Sequence, residues 1–294
     1  MPVLSKAEAV YSAKPTVSME EIRNGALTFL YRTAVGRIFL KLLTRPAVSR
    51  IVGRFMDSRL SVPFIGSFVR HNHIDLSDYE PVRYRSYNEF FTRRIRPELR
   101  PIDRAPAHLI SPCDSKLAAY PIDEGSRFWI KQSSYSVDDL LGNDPIAADY
   151  QGGTCLVFRL TVDDYHRYCY LDDGHKGENR FIGGELHTVK PIALDTCNIY
   201  KRNCREYTVL HTDHFGDVVQ VEVGAMMVGK IKNHHGTASI RRGEEKGMFE
   251  FGGSTIVLLL KKGAAVVDQD IFENTREQRE TIVQMGQKIG VRGS

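Results

Sequence analysis

No stretch of this sequence approaches the roughly 18 consecutive apolar residues that a membrane-spanning helix needs. The first residues, MPVLSKAEAVYSAKPTVSMEE, lack the compact apolar core of a secretory signal. The chain is therefore expected to stay in solution or to lie on a membrane rather than cross one. Cysteine is scarce: five in 294 residues, an odd number, with no C-x-x-C pair. That argues against a disulfide framework and the usual zinc knuckles, and it fits a reducing compartment. Net charge is only +4, so the chain as a whole is no polycation. Internal repeats and low-complexity segments are absent too.

What is present is an ordinary globular composition, 42% hydrophobic and 26% charged, enough to bury a core without covalent staples. The charge is unevenly placed. Between Ile22 and Leu60, eight basic residues face a single acid, Asp57. Within that stretch Leu27, Leu30, Tyr31, Ala34, Val35, Ile38, Phe39, Leu42 and Leu43 repeat at helical spacing, while Arg32, Arg37 and Lys41 lie off the stripe. A basic amphipathic helix suits either a membrane surface or a partner, or it packs its stripe on the rest of the protein. Interleaved aromatics that could stack bases are few, so nucleic acid is not an expected partner. Further helices are expected beyond Thr44-Arg45-Pro46, over Pro63–Arg70 and over Tyr87–Ile95.

After Pro101 strand-like runs dominate, among them Lys116–Tyr120, Thr154–Leu160, Tyr207–Leu210 and Thr255–Leu260, separated by Gly and Asp/Asn turns. One short helix is signalled by SVDDLLG, with a serine cap, early acids and a closing glycine. The pattern TREQRETIVQMGQ suggests a C-terminal helix and tail over 273–294. The fold class expected is α+β: a flexible leader (1–21), a basic amphipathic helical region (22–100), a β-rich domain (101–272) and that tail.

The chemistry-bearing stretches are individually weak. SPCDSKL holds Asp114 in what reads as a turn. DYHRYC holds His166, the side chain that titrates near neutrality unaided, and Cys169; on a strand, His166 would face opposite to Arg167. In KGMFEFGGSTIVLLLKKG, Gly252-Gly253-Ser254-Thr255 interrupts strand-like sequence, where glycines mark a bulge, a bend or a close backbone approach. A nucleophile elbow needs glycine where Ile256 stands, and a P-loop needs a lysine before Ser254.

Taken in order, YNEFFTRRI, RPID, SPCDSKL, YSVDDLLG, DYHR, VGAMMVGKI and KGMFEFGGSTIVLL resemble the phosphatidylserine decarboxylase family over roughly residues 26–290. The resemblance implies that 101–272 is the catalytic domain and that the chain is a bacterial-type zymogen cleaving itself between Gly253 and Ser254. Ser254 would attack the Gly253 carbonyl and end as a covalent pyruvoyl group, the only cofactor, with neither metal nor pyridoxal phosphate. That group would form a Schiff base with phosphatidylserine, releasing CO₂ and phosphatidylethanolamine. His166 is the implied proton donor or base, and Asp114 the charge-relay aspartate of self-processing. The resemblance also implies a heterodimer of the chain's own α and β fragments and an anionic phospholipid surface as partner. Arg32, Arg37, Lys41, Phe39 and Leu42 would meet the cytoplasmic face of the cell membrane peripherally. A homodimer stays open, as does a soluble amino-acid decarboxylase or a non-processing lipid-binding homologue.

The sequence departs from the family pattern at one point. Many members carry a second histidine, the base that activates the serine, where this chain has Cys169. A thiol, with an ordinary pKa of about 8.5, is a poorer base at neutrality. Three readings stay open: His166 does both jobs, His187 in ELHTVKP substitutes, or processing is slow or lost.

Overall fold

The computed structural model describes residues 14–18, 33, 46–125, 127–130, 133–184, 203–224, 231–250 and 254–293. The helical stripe over Leu27–Leu43 lies outside the described residues.

The α+β expectation holds. Helices α1 (Pro46–Asp57), α2 (Pro63–His71) and α3 (Tyr87–Phe91) precede a β-rich body. The body is built on one antiparallel sheet. Its central strands are β3 (Ser115–Pro121), β6 (Thr154–Leu160), β15 (Ser254–Leu260), β11 (Gly216–Val223) and β10 (Arg205–Thr212), paired in that spatial order. Strands β8 (Gly174–Lys176) and β13 (Ala238–Ile240) extend the β10 side, where β9 (Arg180–Ile182) also pairs. β17 (Arg279–Val283) and then β1 (Thr16–Ser18) extend the β3 side. Three smaller sheets accompany it: β12 (Ile231–Asn233), β14 (Glu245–Phe249) and β7 (Arg167–Cys169); β16 (Ala265–Val267), β18 (Lys288–Arg292) and β2 (His108–Ile110); and the hairpin of β4 (Arg127–Ile130) and β5 (Ser133–Ser136).

β15 explains why the main sheet needs both faces covered. A strand buried on both sides reads as an unbroken apolar run rather than an alternation. Val257 and Leu259 pack with Val157, Val219 and Val221 under α4 (Val137–Leu141), which Ser136 caps and Gly142 ends at φ 67°. Ile256, Leu258 and Leu260 pack on the opposite face with Phe158, Leu117, Tyr168 and Phe249, so β7 and β14 lie over that face. Lys246 of β14 reaches Glu222 of β11 at 2.6 Å, both fully buried, which ties the small sheet to the large one.

Several sequence expectations need correction. Thr16–Ser18, expected in a loose leader, pair with Arg279–Thr281, and Lys14 anchors them to Asp268 at 2.8 Å. The helix expected over Tyr87–Ile95 stops at Phe91, and Ile95 instead bridges Tyr79. Pro97 favours extended backbone at Arg96 (φ −64°, ψ 128°). The expected C-terminal helix is α5 (Gln269–Arg276) alone, followed by β17 and β18. There Glu280 is drawn onto buried Arg159 at 2.8 Å, and Thr281 and Val283 are buried beside β3. Tertiary pairing overrides a helical pattern in such a stretch. His166 immediately precedes β7, which begins at Arg167.

Candidate active site

Two strand pairings set the site. β15 runs beside β6, with Ser254 opposite Leu160, and β14 runs beside β7, with Met248 opposite Arg167. The end of β6 at Leu160 and the start of β7 at Arg167 therefore lie level with the start of β15 at Ser254 and the end of β14 near Met248. The Phe249 N–H donates to the His166 carbonyl at 3.0 Å and closes one end of this juxtaposition. The ends of the DYHR and Ser254 segments, with His166 and Ser254 at 88 positions' separation in sequence, are thus set at the same end of the paired strands by register. Gly253 itself lies outside the described residues.

Ser254 opens β15 and is fully buried. It shares the strand face of Ile256 and Leu258, the face covered by β7 and β14. Its hydroxyl has no hydrogen-bond partner among the described residues. A buried hydroxyl left unsatisfied costs about 1–3 kcal/mol, so such a group asks for a functional explanation.

His166 is buried, with its ring against Phe91 at 4.1 Å between centroids. Its Nδ1 lies 2.8 Å from the Asp164 carbonyl oxygen. A carbonyl only accepts, so Nδ1 carries a hydrogen, and in the neutral ring Nε2 keeps the lone pair. That tautomer presents Nε2 as a base.

Asp114 immediately precedes β3. One step beyond the Lys116–Arg159 pair, Ser115 is level with Leu160, which in turn faces Ser254. Ser115 and Ser254 are two strands apart, about 10 Å at the usual spacing. The Asp114 carboxylate takes Arg100 Nε at 2.8 and 2.9 Å, Arg100 Nη2 at 2.5 Å and the Met285 N–H at 2.9 Å. Among the described residues its carboxylate partners are thus an arginine and a backbone amide.

Cys169 is buried on β7, and its N–H donates to the Pro112 carbonyl at 2.9 Å, linking DYHRYC to SPCDSKL. Burial pushes its thiol up to about 12. It stays protonated at neutral pH and cannot serve as the base. His187 lies outside the described residues; of the named candidates, His166 ends the connection that leaves β6 after Leu160, the residue opposite Ser254.

Three contacts near this loop escaped the sequence reading. Lys116 Nζ binds both oxygens of Asp164 at 2.7 Å and Thr161 Oγ1 at 2.6 Å. Arg100 holds Asp114, and Phe91 packs on His166. Lys116 could have been noticed as a lone cation entering an apolar strand inside SPCDSKL. Nothing local marks Arg100 or Phe91.

Arg32, Arg37, Phe39, Lys41 and Leu42, the expected membrane-facing residues, lie outside the described residues. The neighbouring α1 and α2 region shows the same texture. Ile51, Phe55, Leu60 and Phe64 are 69, 38, 74 and 55% exposed, beside exposed Arg54 and Arg59. Phe55, Phe64, Phe68 and Tyr87 line a groove there. Among the described residues, no helix is long and apolar enough to cross a membrane.

Comparison with known proteins bears on this geometry. The family model described as phosphatidylserine decarboxylase matches residues 87–291. The chain is 47% identical over 272 residues to phosphatidylserine decarboxylase proenzyme 2 of Clostridium acetobutylicum, covering 92% of this chain and 93% of that one. It is 40% identical to the phosphatidylserine decarboxylase proenzyme of Ruminiclostridium cellulolyticum, with the same coverage. It is 37% identical to that of Clostridium novyi, over 99% of both chains.

Proposed function

The chain belongs to the phosphatidylserine decarboxylase family, a family of carboxy-lyases, and we propose that it converts phosphatidylserine to phosphatidylethanolamine and CO₂. We propose further that it splits itself between Gly253 and Ser254. The observation that carries this reading is the Ser254 hydroxyl: buried, at the head of a central strand, beside the His166 loop and bonded to no described residue.

A hydroxyl that ties nothing together can be consumed without loosening the fold, which fits the conversion of Ser254 into a pyruvoyl group. In the proposed splitting, Ser254 Oγ bonds to the Gly253 carbonyl carbon and the Gly253–Ser254 C–N bond breaks, leaving an ester. Loss of the Cα hydrogen of residue 254 as a proton expels the Gly253 carboxylate. Water then replaces the exposed nitrogen, which leaves as ammonia. Serine needs a base for the first step, and Nε2 of His166 has the lone pair for it. Once formed, the pyruvoyl carbonyl supplies an electron sink, the part pyridoxal phosphate plays elsewhere. His166 then carries a proton on Nε2 to the substrate carbon that has lost CO₂, as a positioned general acid.

The fragments 1–253 and 254–294 stay together, because β15 in one lies between β6 and β11 of the other. The exposed apolar residues of α1–α2, with Arg54 and Arg59, dock peripherally on the anionic cytoplasmic leaflet. Each basic side chain there adds about 1 kcal/mol.

The test is CO₂ release from carboxyl-labelled phosphatidylserine in vesicles and from labelled free serine. Release from the lipid alone is expected. Release from free serine but not from the lipid would overturn the substrate assignment.

A further inference from the structure

We propose that Lys116 and Asp164 are positioning residues that lock the tautomer and orientation of His166, coupling the SPCDSKL strand to the DYHR loop.

The loop between β6 and β7 is pinned at one turn. Asp164 N–H donates to the Thr161 carbonyl at 2.9 Å. The Asp164 carboxylate in return accepts from Thr161 N–H at 2.6 Å and from Thr161 Oγ1 at 2.9 Å. Lys116 Nζ, projecting from β3, closes the arrangement on both carboxylate oxygens and on Thr161 Oγ1. Asp163 is also in range, 3.9 Å from Lys116 Nζ.

The carboxylate and the carbonyl of Asp164 belong to one residue with two jobs. The side chain fixes where the residue sits, and its carbonyl then receives the Nδ1 hydrogen of His166 at 2.8 Å. If Asp164 moves, the acceptor that selects the Nδ1–H form moves with it. Burial pushes the Asp164 carboxyl up against the opposing pull of Lys116. The lysine is thus the cation that favours the charged carboxylate on which the turn depends. Phe91 packs on the imidazole and limits its rotation from the helical side. Lys116 follows Asp114 by two residues, so one short stretch of β3 would serve both Asp114 and His166.

The catalytic part of this role rests on His166 moving protons in the proposed reaction; the tautomer does not. The experiment uses the full chain labelled with ¹⁵N-histidine, with His166→Gln assigning the ring resonances. Wild-type protein is expected to show the neutral His166 ring protonated at Nδ1. Lys116→Met and Asp164→Asn, prepared separately in case one fails to fold, are expected to gain the Nε2–H form, and Lys116→Arg to keep the wild-type pattern. In processed protein, Lys116→Met should lower kcat roughly 10- to 100-fold, as misplacement of a reacting group does, and leave KM within about twofold. An Nε2–H ring in wild-type protein would overturn the proposal without any variant. So would a wild-type tautomer in both Lys116→Met and Asp164→Asn. If the tautomers behave as expected but neither lipid nor free serine yields CO₂, the proposed reaction fails and the positioning role stands.

Discussion

Strand β15 and the helices α1–α2 are both rich in large apolar side chains, and they meet opposite fates. Every residue from Ser254 to Leu260 is buried, and the strand packs on both faces. On α1–α2 and the turn between them, Ile51, Leu60 and Phe64 are each more than half exposed. The strand finds its partners inside the chain, so its apolar side chains act on stability. The helical residues leave much of their apolar surface exposed even where Phe64 packs edge-on against Phe55, and that energy is available to something outside the fold, which the proposed function takes to be a lipid surface. The same contrast locates the chemistry. Ser254 begins the buried strand, whereas the helical region meets the site through the Phe91 contact on His166.

The comparison is broken most completely at Ser254. Ser254→Ala is expected to leave the chain unsplit on a denaturing gel and to abolish CO₂ release, while thermal unfolding changes little because the lost hydroxyl bonds no described group. His166→Ala should lower CO₂ release roughly 10²- to 10⁴-fold, the usual worth of a positioned acid or base. If splitting is also lost, His166 is the processing base as well. Leu258→Ala tests the buried side: a fully buried leucine cut to alanine costs about 2–5 kcal/mol, read as a fall in denaturation midpoint. Replacing Ile51, Leu60 and Phe64 together by serine tests the exposed side. Stability should move by less than about 0.5 kcal/mol per site, while vesicle co-sedimentation falls at least roughly tenfold, since each buried apolar side chain is worth about 1.5–3 kcal/mol. The smallest effect is expected from Cys169→Ser. Its thiol, at about 12, gives up no proton near neutrality, so the rate of splitting should keep the wild-type pH profile between pH 6 and 9.

Much of this contrast was legible in residue order. The run Thr255–Leu260 reads as a doubly buried strand because no polar residue interrupts it, and SVDDLLG reads as a capped helix because its cap residues are local signals. Ser254 and His166 could be named because their motifs occur in order with five others. What was not legible depends on register. Nothing near residue 280 says that Glu280 will meet Arg159, and that pairing turns an apparent helix into β17. Similarly, Asp114 could be named from SPCD, but its Arg100 partner could not. Lys116 was in view within its motif, yet its partner Asp164 lies 48 positions away, joined only once β3 and β6 pair.

The proposed function turns on the chain breaking itself at one peptide bond. Intact-mass spectrometry of the purified full chain tests it directly. Two species are expected, residues 1–253 ending in a free carboxylate and residues 254–294 beginning with a pyruvoyl group in place of Ser254. A single uncleaved chain that stays intact throughout prolonged incubation, or a fragment beginning with an unmodified serine, would contradict it.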